Sequence, residues 1–362
     1  MPEIWLNYGP TDVVLDIQAE NLGQQVSAEG KVLEDSEINS RLDSLDLTKP
    51  QEIIVLNNSK FVQKTLSTLF AKCEQKSLRI PRIFAEKKIM DALKDSLPEG
   101  SSISELEKPE LSNSNLVFIG EMEFDGLFGF ESIATRLLRK FGTEEVLLAY
   151  EKRKGELPVP GQDVENTSIA KSFVDKFEIS AIEIASNSNG IVDLAIGHPS
   201  STMAVSRSFV ESATKEIGKH RTLIISTGKN SSNDSLDKSL SSLWNCSDAI
   251  RNEGLAVLLA ECTHGIGSSA IQYYIEGQMS LDRLKKPAKY INGMETLLFL
   301  TEIQKKFQVG IVSILPEFYL KKLNIVSFSG VAQAMTHILK SQGARQKVVV
   351  VPDGARVLLK QN

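Results

Sequence analysis

The side chains best suited to moving protons near neutral pH are the four histidines, His198, His220, His264 and His337. No two have the spacing of a ligand pair, so no metal site is expected. His264 stands in Glu261-Cys262-Thr263-His264-Gly265-Ile266-Gly267, after the apolar run Leu255 to Ala260 and before Ser268-Ser269, which head a helical pattern. A buried strand, a polar glycine loop and a helix start are where parallel α/β sheets bind ligands. Free N–H groups at the helix start favour an anion there. Gly265, Gly267 and Ser268 are therefore expected to bind a ligand, and His264 to act as acid or base. A tight connection with an ordinary N-cap serine is the competing account. A second loop, Glu121-Met122-Glu123-Phe124-Asp125-Gly126-Leu127-Phe128-Gly129, follows another buried strand and carries three carboxylates and two glycines. It nominates Asp125 as the second catalytic group and Gly129 as ligand-binding, against the alternative of a solvated acidic loop.

Arg136 follows in the first turns of the next helical pattern, and its fork of donors matches a carboxylate or a phosphate. Glu121, Glu123, Asp125 and Glu131 compete for it. His337 lies inside a helical pattern, His198 precedes Pro199 and His220 falls in a hinge, so all three are read as structural. Thr227-Gly228-Lys229-Asn230 lacks the upstream glycine and the Ser/Thr of a phosphate-binding loop. Neither Gly-x-Ser-x-Gly nor Gly-x-Gly-x-x-Gly after the first strand occurs.

Alternating strand and helix patterns must position these loops. A β-hairpin is expected from Ile4 to Ile17 around Asn7-Tyr8-Gly9-Pro10, then a polar stretch over residues 19–51. Strands are expected at Ile53-Ile54-Val55-Leu56, Arg82-Ile83-Phe84 and Leu116 to Gly120, at residues 146–150, and on both sides of Asn189-Gly190. A surface loop is expected over residues 98–114 and a long helix over residues 202–217. Beyond Gly218-Lys219-His220 the alternation resumes to Lys347–Val351. Repetition in both halves predicts an α/β fold: two domains, 1–218 and 219–362, with largely parallel sheets flanked by helices and a cleft between them.

The chain of 362 residues carries a formal charge of -5 with acids and bases interspersed, which offers no nucleic-acid footprint. Cys73, Cys246 and Cys262 have neither paired nor metal spacing and are read as free thiols of a reducing cytosol. The N-terminal residues have no signal-peptide pattern, and no apolar run approaches the roughly 20 residues of a membrane span. A cytoplasmic protein with a small-molecule partner is the expectation.

The ordered set Ile224-Ile225-Ser226-Thr227-Gly228, Asp234, Asn252-Glu253-Gly254, Leu258-Leu259-Ala260-Glu261-Cys262 and Gly265-Ile266-Gly267 resembles the C-terminal domain of the nickel-dependent lactate racemase family. Val350-Val351-Pro352-Asp353-Gly354 extends the resemblance, as do Tyr8-Gly9 and Leu116 to Gly129 in the first half. It implies a 2-hydroxy-acid racemase whose nickel–pincer nucleotide is attached to a lysine and served by histidines, and it places Asp234 among the ligand-binding residues. The chain departs from the pattern where that chemistry resides. Asp125 takes a histidine position, Ser132-Ile133 a glycine pair and Thr135 the attachment lysine; no histidine occurs before His198. The polar substrate-facing pair falls on Ser239 and Ser242. Asp125 is a hard ligand and the adjacent Arg136 cannot replace the lysine; Lys140 is the one nearby amine. No cofactor is therefore expected. Two functions stay open: a degenerate relative binding a small anion or nucleotide in the cleft, and an active 2-hydroxy-acid isomerase with a divergent site.

Overall fold

Short β-branched runs, apolar on both faces, become the central strands of two sheets. The computed structural model describes residues 3–28, 30–48, 51–97, 101–106, 115–153, 157, 159–229 and 234–361. In chain order the strands of the first half are β1 Glu3–Tyr8, β2 Thr11–Asp16, β3 Leu22–Gln25, β4 Glu52–Val55, β5 Arg82–Ala85, β6 Ile103–Glu105, β7 Leu116–Glu121, β8 Glu123–Asp125, β9 Gly129–Glu131, β10 Ser180–Ser186 and β11 Ile191–Gly197. They are followed by β12 Thr214–Ile217, β13 His220–Ser226, β14 Ile250–Leu259, β15 Gln308–Val312, β16 Val326–Phe328, β17 Val348–Val351 and β18 Leu358–Gln361.

One six-stranded sheet has the order β11-β10-β7-β4-β5-β6 and is parallel except for the edge strand β11. The other, β16-β15-β14-β13-β17-β3, is parallel throughout. Period-2 alternation sends side chains to two cores. Ile54 and Phe118 from the first sheet, and Leu223, Ile225, Ala256 and Leu258 from the second, belong to one shared core. The opposite faces are covered separately. Ile53, Val55, Val117 and Ile119 pack under the helix Lys60–Gln75, and Ile224, Leu255 and Val257 under the helix Val331–Gln342. Burying one such side chain stabilises the fold by about 1.5–3 kcal/mol, so the shared core holds the two halves together.

This is the expected α/β architecture, with a cleft at the carboxyl ends of strands from both sheets. Several local expectations change. The hairpin β1–β2 forms in register, Trp5 opposite Val14, but Leu6, Leu15 and Ile17 pack on the second sheet's core. β3, inside the stretch read as polar and patternless, adds to β17 as that sheet's edge. The division at Gly218 thus omits an N-terminal segment that belongs with the second sheet. Residues 146–150 are not a strand but part of the helix Thr143–Lys152, which buries Val146, Ala149 and Tyr150 at helical spacing. The long helix over residues 202–217 is broken into Pro199–Thr202, Ser206–Ala213 and the strand β12, which pairs with β18. Within the expected loop at 98–114, residues 103–105 form β6 and residues 98–100 and 107–114 lie outside the described residues. The three cysteines are free and buried, and no helix among the described residues is long and apolar enough to cross a membrane.

Candidate functional site

Residues of both halves line one cavity of about 630 Å³. Its first wall is built by the end of β7, the β8–β9 turn and the helix Ile133–Phe141. Its second wall is the helix Leu236–Cys246, with Gly267, Asn292 and Glu295 beside it. Of the residues singled out from sequence, Asp125, Arg136, His264 and Gly267 line the cavity; Gly129, Asp234, Gly265 and Ser268 do not.

Asp125 closes its own turn. One carboxylate oxygen accepts the N–H groups of Leu127 at 2.7 Å and Phe128 at 2.6 Å, an Asx-type turn, and the other pairs with Arg139 at 2.7 Å. Gly126, at the tip of that turn, is seated against the ring of Trp244, which stacks on Phe299 at 4.2 Å. Arg136 does lie in the first turns of its helix, but its guanidinium is bound to Glu123 at 2.9 Å and Glu131 at 3.2 Å. Burial alone would raise the Glu131 carboxyl; Arg136 and Lys238 beside it hold it well below the usual range. Gly129 has φ +77°, and a Cβ there would run into the carbonyl oxygen of Gln162. That φ and that close approach are what hold a glycine at this position.

On the second wall, His264 is exposed at the rim, with Nδ1 3.3 Å from the Thr263 hydroxyl. Asp234 pairs with Lys88 at 2.7 Å, and its carbonyl accepts the His264 N–H. Gly265 (φ +72°) faces open space, whereas a Cβ on Gly267 would strike the Ser235 hydroxyl. Ser268 occupies the N-cap position of the helix Ser269–Ile275 without bonding it; its hydroxyl is buried, without a partner, against Gly293. The strand–loop–helix arrangement is present, but its polar atoms do not converge on one point.

Charged pairs crossing the cleft are the feature the sequence reading missed. Arg139, from the first half, reaches Glu295 at 2.7 Å and the Tyr290 hydroxyl at 2.6 Å in the second. Lys238 returns to Glu131 at 2.9 Å, and Arg356 pairs with Glu121 at 2.7 Å behind them. Sequence separations of 107 to 235 residues hide such pairs from any local pattern. The second missed feature is the polar face of the helix Leu236–Cys246, where Asp237, Lys238, Ser241, Ser242 and Asn245 line the cavity. Its signal was available: serines and an asparagine are poor helix formers, yet they recur here among Leu236, Leu240, Leu243 and Trp244 at helical spacing. Of the two serines that the family resemblance turned toward substrate, Ser242 lines the cavity. Ser239 is buried and donates to the Ser235 carbonyl.

Burial raises two other acids near the cleft. Desolvation pushes the Asp237 carboxyl up to about 6, helped by the Glu295 charge. Burial pushes Glu183 up to about 8 against the Ile133 N–H, which it accepts at the start of the helix Ile133–Phe141. The folded state therefore keeps a proton on Glu183 that the unfolded chain, with its ordinary value of 4.5, has released. Stability contributed by this group is present at low pH and falls as pH rises through about 5 to 8. Glu183→Gln is expected to flatten that decline in urea-unfolding curves taken across the same window; an unchanged slope would refute it.

A nickel–pincer nucleotide needs an attachment amine and imidazoles. At the position for the amine, Thr135 is fully buried, and its hydroxyl accepts the Ser132 N–H at 2.8 Å in a capping box. Lys140 is tied to Glu86 at 2.6 Å. Among the described residues His264 is the one histidine on the cavity wall, and Asp125 is engaged at both oxygens. These residues do not fit that cofactor.

No protein-family model matches this chain, and no curated protein does. Among solved structures, the lactate racemase apoprotein of Thermoanaerobacterium thermosaccharolyticum is similar over 99% of this chain and 100% of its own length, with a TM-score of 0.70 at 16% identity. A Thermotoga maritima protein is similar over 92% of this chain and 100% of its own, with a TM-score of 0.67 at 12% identity. At these identities what is shared is the fold: this chain has the fold of the lactate racemase apoprotein, over nearly its whole length.

Proposed function

We propose that this chain is a binding protein on a lactate racemase scaffold, taking a small polar molecule in the cleft and lacking nickel–pincer racemisation. The observation that carries it is the cavity wall. It encloses about 630 Å³ between the halves, with Glu123, Asp125 and Glu131 on one side and Lys238, Ser241, Asn292 and Glu295 on the other. The small anion or nucleotide expected from the sequence would enter a cleft in which Arg136, Arg139, Lys238 and Arg356 are already paired with carboxylates.

Purified protein is expected to contain no stoichiometric nickel, to show an intact mass without a covalent nucleotide, and to interconvert neither lactate enantiomer even after nickel loading. Thermal-shift screening of polar small molecules should give hits that Ser241→Trp, which fills the cleft from a half-buried position, abolishes. Lactate turnover, or hits indifferent to Ser241→Trp, would overturn the reading. A second reading, an isomerase of 2-hydroxy acids with a divergent site, is favoured by one observation. Asp237 lies on the cavity wall with its carboxyl near the range useful for proton transfer at neutral pH. Turnover lost in Asp237→Asn would support it.

A further inference from the structure

Basic side chains gather at the end of the second sheet away from the cleft. A concavity of about 490 Å³ lies at the amino ends of β13, β14 and β17, whereas the cleft lies at carboxyl ends. Lys219, His220 and Arg221, part of the segment read from sequence as a hinge, line it from the start of β13. Arg251 lines it from the start of β14, and Arg345 and Lys347 from the turn between the helix Val331–Gln342 and β17. Two glutamines and a glycine complete the lining; no carboxylate, aromatic or aliphatic side chain takes part. In a chain with 46 acidic residues against 41 basic ones, five Lys and Arg side chains here face no acid. Glu253, the carboxylate nearest Arg251 in sequence, is exposed and stands outside the lining.

The cleft provides the contrast. There all six Lys and Arg side chains are paired with carboxylates; among the described residues, none of these five is. Arg251 Nε donates to the Lys219 carbonyl at 2.8 Å, which ties the starts of β13 and β14 and leaves both Nη groups without a partner. Burial and the Arg251 charge push the His220 imidazole below its ordinary value, so it adds a donor without a charge at neutral pH. The helix Val331–Gln342 ends at this concavity, and a helix C-terminus attracts cations, but its dipole amounts to only about half a negative charge. As a sphere the cavity would be about 10 Å across, so the five charges stand about one screening length apart and repel.

We propose that this concavity binds a compact polyphosphate group, recognised through its charges and oxygens alone. Arginine forks match phosphate oxygens in pairs, and lysines add point charges that neutralise a multivalent anion. The lining has no aromatic face on which a base could stack and no apolar wall for a lipid chain. The site stands at the opposite end of β13 from the cleft, roughly 20 Å away at about 3.3 Å per residue, and is independent of what the cleft binds.

The test is calorimetry on the full chain at low ionic strength with inorganic tripolyphosphate, orthophosphate and adenosine triphosphate. Tripolyphosphate is expected to bind at least about tenfold more tightly than orthophosphate, and adenosine triphosphate no more tightly than tripolyphosphate. Arg345→Glu and Lys347→Glu should each weaken it by about tenfold, the order expected of reversing one charge roughly 10 Å from a multivalent anion in screened solvent. Both side chains are exposed and bonded to nothing among the described residues, so these variants keep the fold. Lys286→Glu makes the same change of net charge at an exposed residue outside the concavity and should leave the affinity unchanged, as should Ser241→Trp in the cleft. Equal losses in Lys286→Glu and Arg345→Glu would reduce the effect to net charge and overturn the proposal, and loss in Ser241→Trp would move the anion to the cleft. Parity of tripolyphosphate with orthophosphate, or no binding of either, also overturns it. So does adenosine triphosphate binding tenfold more tightly than tripolyphosphate, which would mean that a base is recognised. Protein that sediments with phosphatidylserine vesicles and is not released by tripolyphosphate would make the patch a membrane surface instead.

Discussion

Replacing Arg139 by leucine is expected to lower the unfolding free energy by about 3–5 kcal/mol, the cost of leaving buried carboxylates without their cation. Arg139 is the one side chain that bonds Asp125 on the first wall and Glu295 on the second, each at 2.7 Å, while its guanidinium carbon lies 5.1 Å from the Phe128 ring centre. Removing it strands two negative charges whose side chains are 11% and 7% exposed, too little for water to take over. The loss should be read from urea unfolding. Adding Asp125→Asn and Glu295→Gln to the leucine variant removes the stranded charges while keeping Asp125's turn acceptor as an amide oxygen. That combination should recover about 0.5–3 kcal/mol, the coupling of residues in one network. If the single variant costs under about 1 kcal/mol, the cross-cleft pairs are incidental to holding the halves together.

Gly129→Ala should be the second most damaging of these changes, at about 2–5 kcal/mol. Its φ of +77° places an L-residue in the left-handed region, at about 1–2 kcal/mol. The added Cβ also meets the Gln162 backbone, which cannot swing aside as a side chain can, and overpacking adds about 1–3 kcal/mol. That backbone is tied in place, since the Gly161 N–H donates to the Gly129 carbonyl at 2.9 Å. Gly265→Ala is the control: φ is +72° with nothing within 4 Å, so only the conformational cost of about 1–2 kcal/mol applies. Parity of the two variants in urea unfolding would refute the steric account of Gly129. Both glycines were singled out from sequence as ligand-binding, and this pair separates a backbone role from a binding one.

What the sequence determined by itself was the alternation. Apolar runs such as Leu116–Gly120 and Leu255–Ala260 read as doubly buried strands because both faces of a parallel sheet are covered, and that periodicity is local. The two loops at strand ends were legible for the same reason, and Asp125, His264 and Gly267 do line one cavity. Local reading failed where an element's partner is distant. β3 is four residues, Leu-Gly-Gln-Gln, without strand character, and it is a strand because β17 offers an open edge. Val146 to Tyr150 looked extended because five apolar residues were read together, whereas the helix buries only those at helical spacing. The site's chemistry was decided almost wholly by tertiary structure. Arg139 carries no local signal of its role, and it is in the fold that it meets Glu295, 156 residues on in the second half. Whether a charge is free depends on which carboxylates the other half of the chain brings within 4 Å, and that proximity arises only once both sheets have closed on their shared core.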